Sequence, residues 1–115
     1  MQVLFLLNEA PYSTDKNYNA LRTAIHLQKQ RKETKLVVYL MSDSVLCALP
    51  NQKTKQGYYN IGDMLKEIMI NGGDVRLCTS CAETRGVDKI IEGGSLGNLT
   101  DLTTWMIASD RSFVY

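Results

Sequence analysis

With 115 residues, 44% hydrophobic and 22% charged side chains, the chain has the make-up of one globular domain, residues 1–115, large enough for a single core. Thirteen basic against twelve acidic side chains leave a formal charge of +1, which gives no electrostatic basis for nucleic acid or an anionic membrane as partner. No apolar run approaches the roughly 20 residues of a membrane span, and three cysteines, an odd number, do not suggest a secreted disulfide scaffold, so a reducing cytoplasm is the expected setting.

The opening residues lack a charged leader and a small-residue cleavage site, so residues 3–7 read as a first strand and not as a signal peptide. Ser13, Thr14 and Asp15 offer N-caps for a helix running to about Arg31, with Tyr18, Leu21, Ala24 and Ile25 as its inward stripe. The basic run from Lys29 to Lys35 sits at that helix's C-terminus, where cations are favoured. Residues 36–41 are a second continuous apolar run of strand length, the pattern of a strand covered on both faces. Residues 42–59 are long for a plain connection and are read as a lid or an interface, with Cys47 packed among Val45, Leu46, Ala48 and Leu49.

Asn60 then caps a helix whose apolar positions, Ile61, Met64, Leu65, Ile68 and Met69, recur at helical spacing until Asn71-Gly72-Gly73 ends it. Residues 74–77 make a third strand, and Cys78 falls at its end. Thr79 and Ser80 are helix-capping types, and residues 81–85 are long enough for one or two helical turns. Residues 87–92 are ambiguous, and Gly93-Gly94 makes a turn before a short extended piece near Ser95-Leu96. Asn98 or Thr100 caps a last helix carrying Leu99, Leu102 and Met106, and residues 113–115 form a final short strand. Strands alternating with helices predict an α/β domain with a mainly parallel sheet of about five strands and helices on both faces.

In such a sheet, ligands bind beyond the carboxyl ends of the strands. Asn8, Asp43 and Cys78 follow the first three strands and are therefore expected on one edge. Asn8 either binds a ligand there or closes the turn. A thiol at a helix N-terminus meets unpaired N–H groups and the positive end of the helix dipole, which favour thiolate. Zinc would need about four ligands, which Cys78, Cys81, the distant Cys47 and His26 do not supply, so no metal is expected. A nucleophilic hydrolase would need a base, and the single histidine, His26, lies mid-helix far from the thiols. A dithiol oxidoreductase using Cys78 and Cys81 remains open, as does a thiol that accepts sulfur and hands it on as a persulfide. Arg85 either stabilises an anion or persulfide at the thiols or caps the short helix. Tyr58 and Tyr59 either shield the thiol or belong to a subunit interface, and Trp105 suggests core or interface. No phosphate-loop glycine pattern is present, and no cofactor is expected.

The segment from Val75 to Val87, with Cys78-Thr79-Ser80-Cys81 and Arg85-Gly86, resembles the cysteine signature of the DsrE/DsrF-like family, particularly its small YchN-like members. The segment from Gln56 to Leu65 leading to Gly72-Gly73, and the tail with Glu92-Gly93-Gly94, Asn98 to Leu102, Trp105 and Ser109-Asp110-Arg111, are similar too. The resemblance implies a three-layer α/β/α sandwich and a homo-oligomer, a trimer or hexamer. It also implies work in sulfur relays, with donor and acceptor proteins as partners. The relay cysteine of that family lies after the third strand, eight residues before the glycine of Arg-Gly, the place Cys78 holds relative to Gly86. Cys81 matches the second cysteine of YchN-like members. The expected function is therefore a small cytoplasmic sulfur carrier with Cys78 as acceptor. The rivals are a dithiol–disulfide oxidoreductase and a non-catalytic oligomeric binding module.

Overall fold

The computed structural model describes residues 1–115. The strands are β1 (Gln2–Leu7), β2 (Lys35–Leu40), β3 (Asp74–Cys78), β4 (Ser95–Gly97) and β5 (Arg111–Val114). They lie in the order β4-β3-β2-β1-β5, and every neighbouring pair is parallel. The sheet is thus wholly parallel, with β1, β2 and β3 side by side at its centre. β1 and β2 pair in register from Gln2 opposite Lys35 to Leu7 opposite Leu40. Their interiors are apolar at every position because both faces are covered.

The two faces are not covered equally. Val3, Phe5, Leu7, Leu36, Val38, Leu40, Val75 and Leu77 point toward α1 (Lys16–Gln30) and α2 (Ile61–Ile70), forming the larger core. The opposite face presents Leu4, Leu6, Val37 and Tyr39 to a single helix, α4 (Leu99–Ala108), through Leu102 and Trp105. The result is a three-layer α/β/α sandwich with one thick and one thin helical layer.

Local chemistry moved several elements away from the expected pattern. In α1 the buried stripe is Asn17, Ala20, Leu21, Ala24, Ile25 and Gln28, whereas Tyr18 is only half-buried and stacks on Tyr59 with centroids 4.2 Å apart. The two polar members donate to backbone carbonyls from inside the fold. Asn17 Nδ2 donates to Glu9 O and Ala10 O, both at 2.9 Å, and Gln28 Nε2 donates to Ile68 O at 3.0 Å. Asp15, at the N-cap, makes no side-chain cap bond; Thr14 Oγ1 accepts the Lys16 N–H instead.

Residues Ser42–Ala48 form a 3₁₀ helix whose Ser44, Val45, Cys47 and Ala48 are buried. That part of the long connection packs into the core through Val45, Cys47 and Ala48 and is not a lid. Asn60 caps α2 as expected, accepting the Asp63 N–H at 3.0 Å. Gly72, at φ +91°, turns the chain out of α2. Gly73 is required by proximity, because a Cβ there would lie 2.6 Å from Ile68 Cγ2 and 3.0 Å from Leu36 O.

Asn98 caps α4 in a reciprocal capping box with Asp101. That start rotates Leu102 and Trp105 onto the sheet and turns Leu99 (66% exposed), Met106 and Ile107 (86% exposed) outward, so Leu99 and Met106 are not core positions. Trp105 lies edge-on to Tyr39 and under the guanidinium of Arg76, which also pairs with Asp101 at 3.2 Å. The last strand begins two residues earlier than expected, and Tyr115 lies just beyond it.

Candidate functional site

Because all five strands run the same way, the residues following β1, β2 and β3 emerge at one edge. Cys78 ends β3 and is itself the N-cap of α3 (Thr79–Thr84). Its sulfur accepts the Cys81 N–H at 3.4 Å and lies 3.4 Å from Ser80 Oγ. The cap is thus the thiol and not the hydroxyl of Thr79 or Ser80. Thr79 Oγ1 instead donates to Gly97 O at 2.8 Å, which ties β4 to the start of α3.

Cys81 sits one turn on, and its sulfur accepts the Ser42 N–H at 3.3 Å. Ser42 holds φ at +52°, the left-handed region that non-glycine residues rarely enter. The turn after β2 thus points the Ser42 N–H at the Cys81 sulfur.

The three thiols have separate acidities. Burial pushes Cys78 up, but hydrogen bonds from the Cys81 thiol, the Ser80 hydroxyl and the two backbone N–H groups outweigh it and hold Cys78 below the usual thiol value. Cys81 is raised, first by burial and then by the hydrogen bond it gives to Cys78, against the opposing Ser42 N–H and Arg85 charge. Cys47 is fully buried and pushed up to about 12. One thiolate-prone sulfur thus has a protonated neighbour, with an inert third thiol in the core.

Arg85 does not reach Cys78. Its Nε donates to Asp43 Oδ1 at 2.8 Å and a terminal nitrogen donates to Cys81 O at 3.2 Å, so it braces the 3₁₀ segment against α3. Asn8 is further off, since β2 separates β1 from β3, and its side chain donates to Tyr115 O at 3.1 Å. That bond closes the β1–β5 end of the edge. Tyr58 and Tyr59 stack with Tyr12 and Tyr18 and do not line the thiol cleft. His26 is exposed on α1 beside Phe5 and Phe113, on the opposite face of the sheet.

The cysteines open into a cleft of about 440 Å³ walled by Tyr39, Met41, Gly97, Asn98 and Leu99. Tyr39 OH donates to Asn98 O at 2.8 Å, and burial, aided by the nearby thiols, raises its pKa to about 12. It therefore acts as a fixed neutral post. Sequence reasoning missed these walls because β2 and the β4–α4 turn supply them, far from Cys78 along the chain. The one available signal was Tyr39 itself, a hydroxyl inside an otherwise apolar strand.

The sequence matches the DsrE/DsrF-like family over residues 1–115. The chain belongs to that family. Within it, this DsrE/DsrF-like chain is 34% identical over 116 aligned residues to Protein YchN of Escherichia coli, covering 99% of this chain and 98% of that one. It is 29% identical over 111 residues to an uncharacterized protein of Methanopyrus kandleri, covering 95% of this chain and 89% of the other. The crystal structure of Escherichia coli YchN superposes with a TM-score of 0.95 at 32% identity, covering 100% and 99% of the two chains. A protein of unknown function from Methanobacterium thermoautotrophicum superposes with a TM-score of 0.79 at 12% identity, covering 99% and 98%, and shares the fold.

Proposed function

We propose that this DsrE/DsrF-like protein is a cytoplasmic carrier that holds sulfur as a persulfide on Cys78. The supporting observation is the paired acidity at the start of α3: a thiol lowered by donated hydrogen bonds beside one that keeps its proton, in an open cleft, with the only histidine on the far face of the sheet. Carriage needs a nucleophilic sulfur and room for a partner, and it needs no general base. The Cys78 thiolate attacks the outer sulfur of a donor persulfide, forming Cys78–S–SH and releasing the donor as its thiolate. The N–H groups that lower the Cys78 pKa also suit the anionic persulfide.

Cys81 supports a second outcome at the same site. Once deprotonated, it attacks Cys78 Sγ of the loaded form, making a Cys78–Cys81 disulfide and expelling hydrosulfide. The bound sulfur is reduced as the two thiols are oxidised. The raised Cys81 pKa makes this step slow at neutral pH and favours carriage over dithiol turnover.

The working unit in this reading is a homo-oligomer, a trimer or hexamer. The thin helical layer supports it: Leu99, Met106 and Ile107 form an outward apolar stripe on α4 beside the cleft, where another copy or a donor or acceptor protein would bury them.

Intact-mass measurement after exposure to polysulfide, or to a cysteine desulfurase with cysteine, tests the carrier. Wild type should gain one reducible sulfur, Cys78→Ala none, and Cys81→Ser should retain it longer than wild type. Equal uptake by wild type and Cys78→Ala would leave the binding-module reading in its place.

A further inference from the structure

Four of the chain's six tyrosines, Tyr12, Tyr18, Tyr58 and Tyr59, gather on the surface away from the thiol cleft. Tyr59 is the hub, with ring centroids 4.2 Å from Tyr18, 4.3 Å from Tyr58 and 5.9 Å from Tyr12. The outer rings are held in place. Tyr12 OH donates to Gln52 Oε1 and accepts the Ile61 N–H at 3.1 Å, while Tyr58 OH and Tyr59 OH are 3.3 Å apart. Nevertheless Tyr12 is 38% and Tyr58 52% exposed. Packing alone gives no reason to fix aromatic rings so firmly and leave them open to water.

Between Tyr12 and Tyr58 lies a cleft of about 350 Å³, and its remaining wall is Lys53, Thr54 and Lys55. Both lysines are exposed, and neither pairs with a carboxylate. Preset aromatic faces beside unpaired ammonium groups suit a flat ring that carries an anion. The cleft is at the small end of the range for ligand sites, which suits one nucleotide. A net charge of +1 gives no long-range pull on a polyanion, so the local pair of lysines points to a single phosphate.

We propose that this cleft binds a nucleoside monophosphate, its base stacked on Tyr58 and its phosphate held by Lys53 and Lys55. The site is independent of the sulfur chemistry, since the two clefts share no lining residue.

Calorimetric titration of the full chain with AMP, adenosine, ribose 5-phosphate and hexauridylate tests it. AMP should bind saturably and more weakly as salt rises, with adenosine and ribose 5-phosphate each about tenfold weaker. Tyr58→Ala should weaken AMP about tenfold and Tyr58→Phe should not, and the double change Lys53→Ala with Lys55→Ala should make AMP and adenosine equivalent. Tighter binding of hexauridylate than of AMP would identify an RNA strand as the source of the nucleotide, and weaker binding a free nucleotide. No heat with millimolar AMP, or unchanged AMP binding by Tyr58→Ala, overturns the proposal. So does a fall in the light-scattering mass of Tyr58→Ala, which would make the patch an interface between copies.

Discussion

Cys78 and Cys47 carry the same side chain, and only their surroundings separate them. Donated hydrogen bonds draw the Cys78 pKa below its usual value near 9, whereas burial raises Cys47 to about 12. Thiolate is the reacting form, so the alkylation rate of Cys78 should climb with pH to a midpoint below 9, while Cys47 stays protonated and shielded throughout that window. Peptide mass spectrometry of timed iodoacetamide reactions should find Cys78 labelled first. Ser80→Ala removes one donor and should shift the Cys78 midpoint upward without changing Cys47. Prior labelling of Cys47 would mean that the arrangement at the start of α3 does not control reactivity.

The junctions between elements are set by close approach. Gly72 and Gly73 sit side by side in the α2–β3 turn but answer different demands. At Gly72 an added Cβ meets nothing, and only its positive φ opposes substitution, so Gly72→Ala should cost about 1–2 kcal/mol. At Gly73 the added methyl meets Ile68 and the Leu36 carbonyl, and neither side can yield without moving α2 or β2. Gly73→Ala should therefore cost about 1–3 kcal/mol through overpacking and also slide α2, broadening the urea transition, whereas Gly72→Ala should leave its shape unchanged. Equal midpoints and slopes for the two variants would show that the α2–β3 contact is softer than its distances indicate.

For the whole molecule, the uneven layering is the main physical asymmetry. Two helices and the 3₁₀ segment seal one face of the sheet, and α4 alone seals the other. Outward from it project Leu99, Met106 and Ile107, with Val114 exposed on the β5 edge. Light scattering at micromolar concentration should give a trimer or hexamer of the 12.9 kDa chain. Ile107→Asp should lower that mass while leaving the far-ultraviolet circular dichroism unchanged. A wild-type mass of one chain would refute assembly through this face.

Much of this was legible in the residues themselves. Strands 3–7 and 36–41 were visible because a strand covered on both faces must be apolar throughout, residues 74–77 because they follow the Gly72-Gly73 stop with Val75 and Leu77 alternating inward, and α2 and α4 because Asn60 and Asn98 each cap locally. The parallel arrangement followed from alternation of strand and helix, and with it the shared edge of Asn8, Asp43 and Cys78. Local sequence also placed Cys78 at the end of β3.

Tertiary structure decided the rest, because it depends on partners remote along the chain. Helical spacing alone suited Tyr18 to the inward stripe of α1, whereas in the fold it is half-buried against Tyr59. Asn17 and Gln28 hold inward places on α1, where their amide N–H groups meet the carbonyls of Glu9, Ala10 and Ile68. Arg85 turned from Cys78 to Asp43, 42 positions earlier, because that carboxylate lies 2.8 Å away across the edge. Asn8 was drawn to Tyr115 by the β1–β5 pairing. Burial by the fold raises both thiols; the hydrogen bonds that outweigh it at Cys78 come from its own helix start, whereas at Cys81 the opposing Ser42 N–H comes from the turn after β2. A sequence records which groups can donate and accept, and the fold determines which of them come within hydrogen-bonding distance.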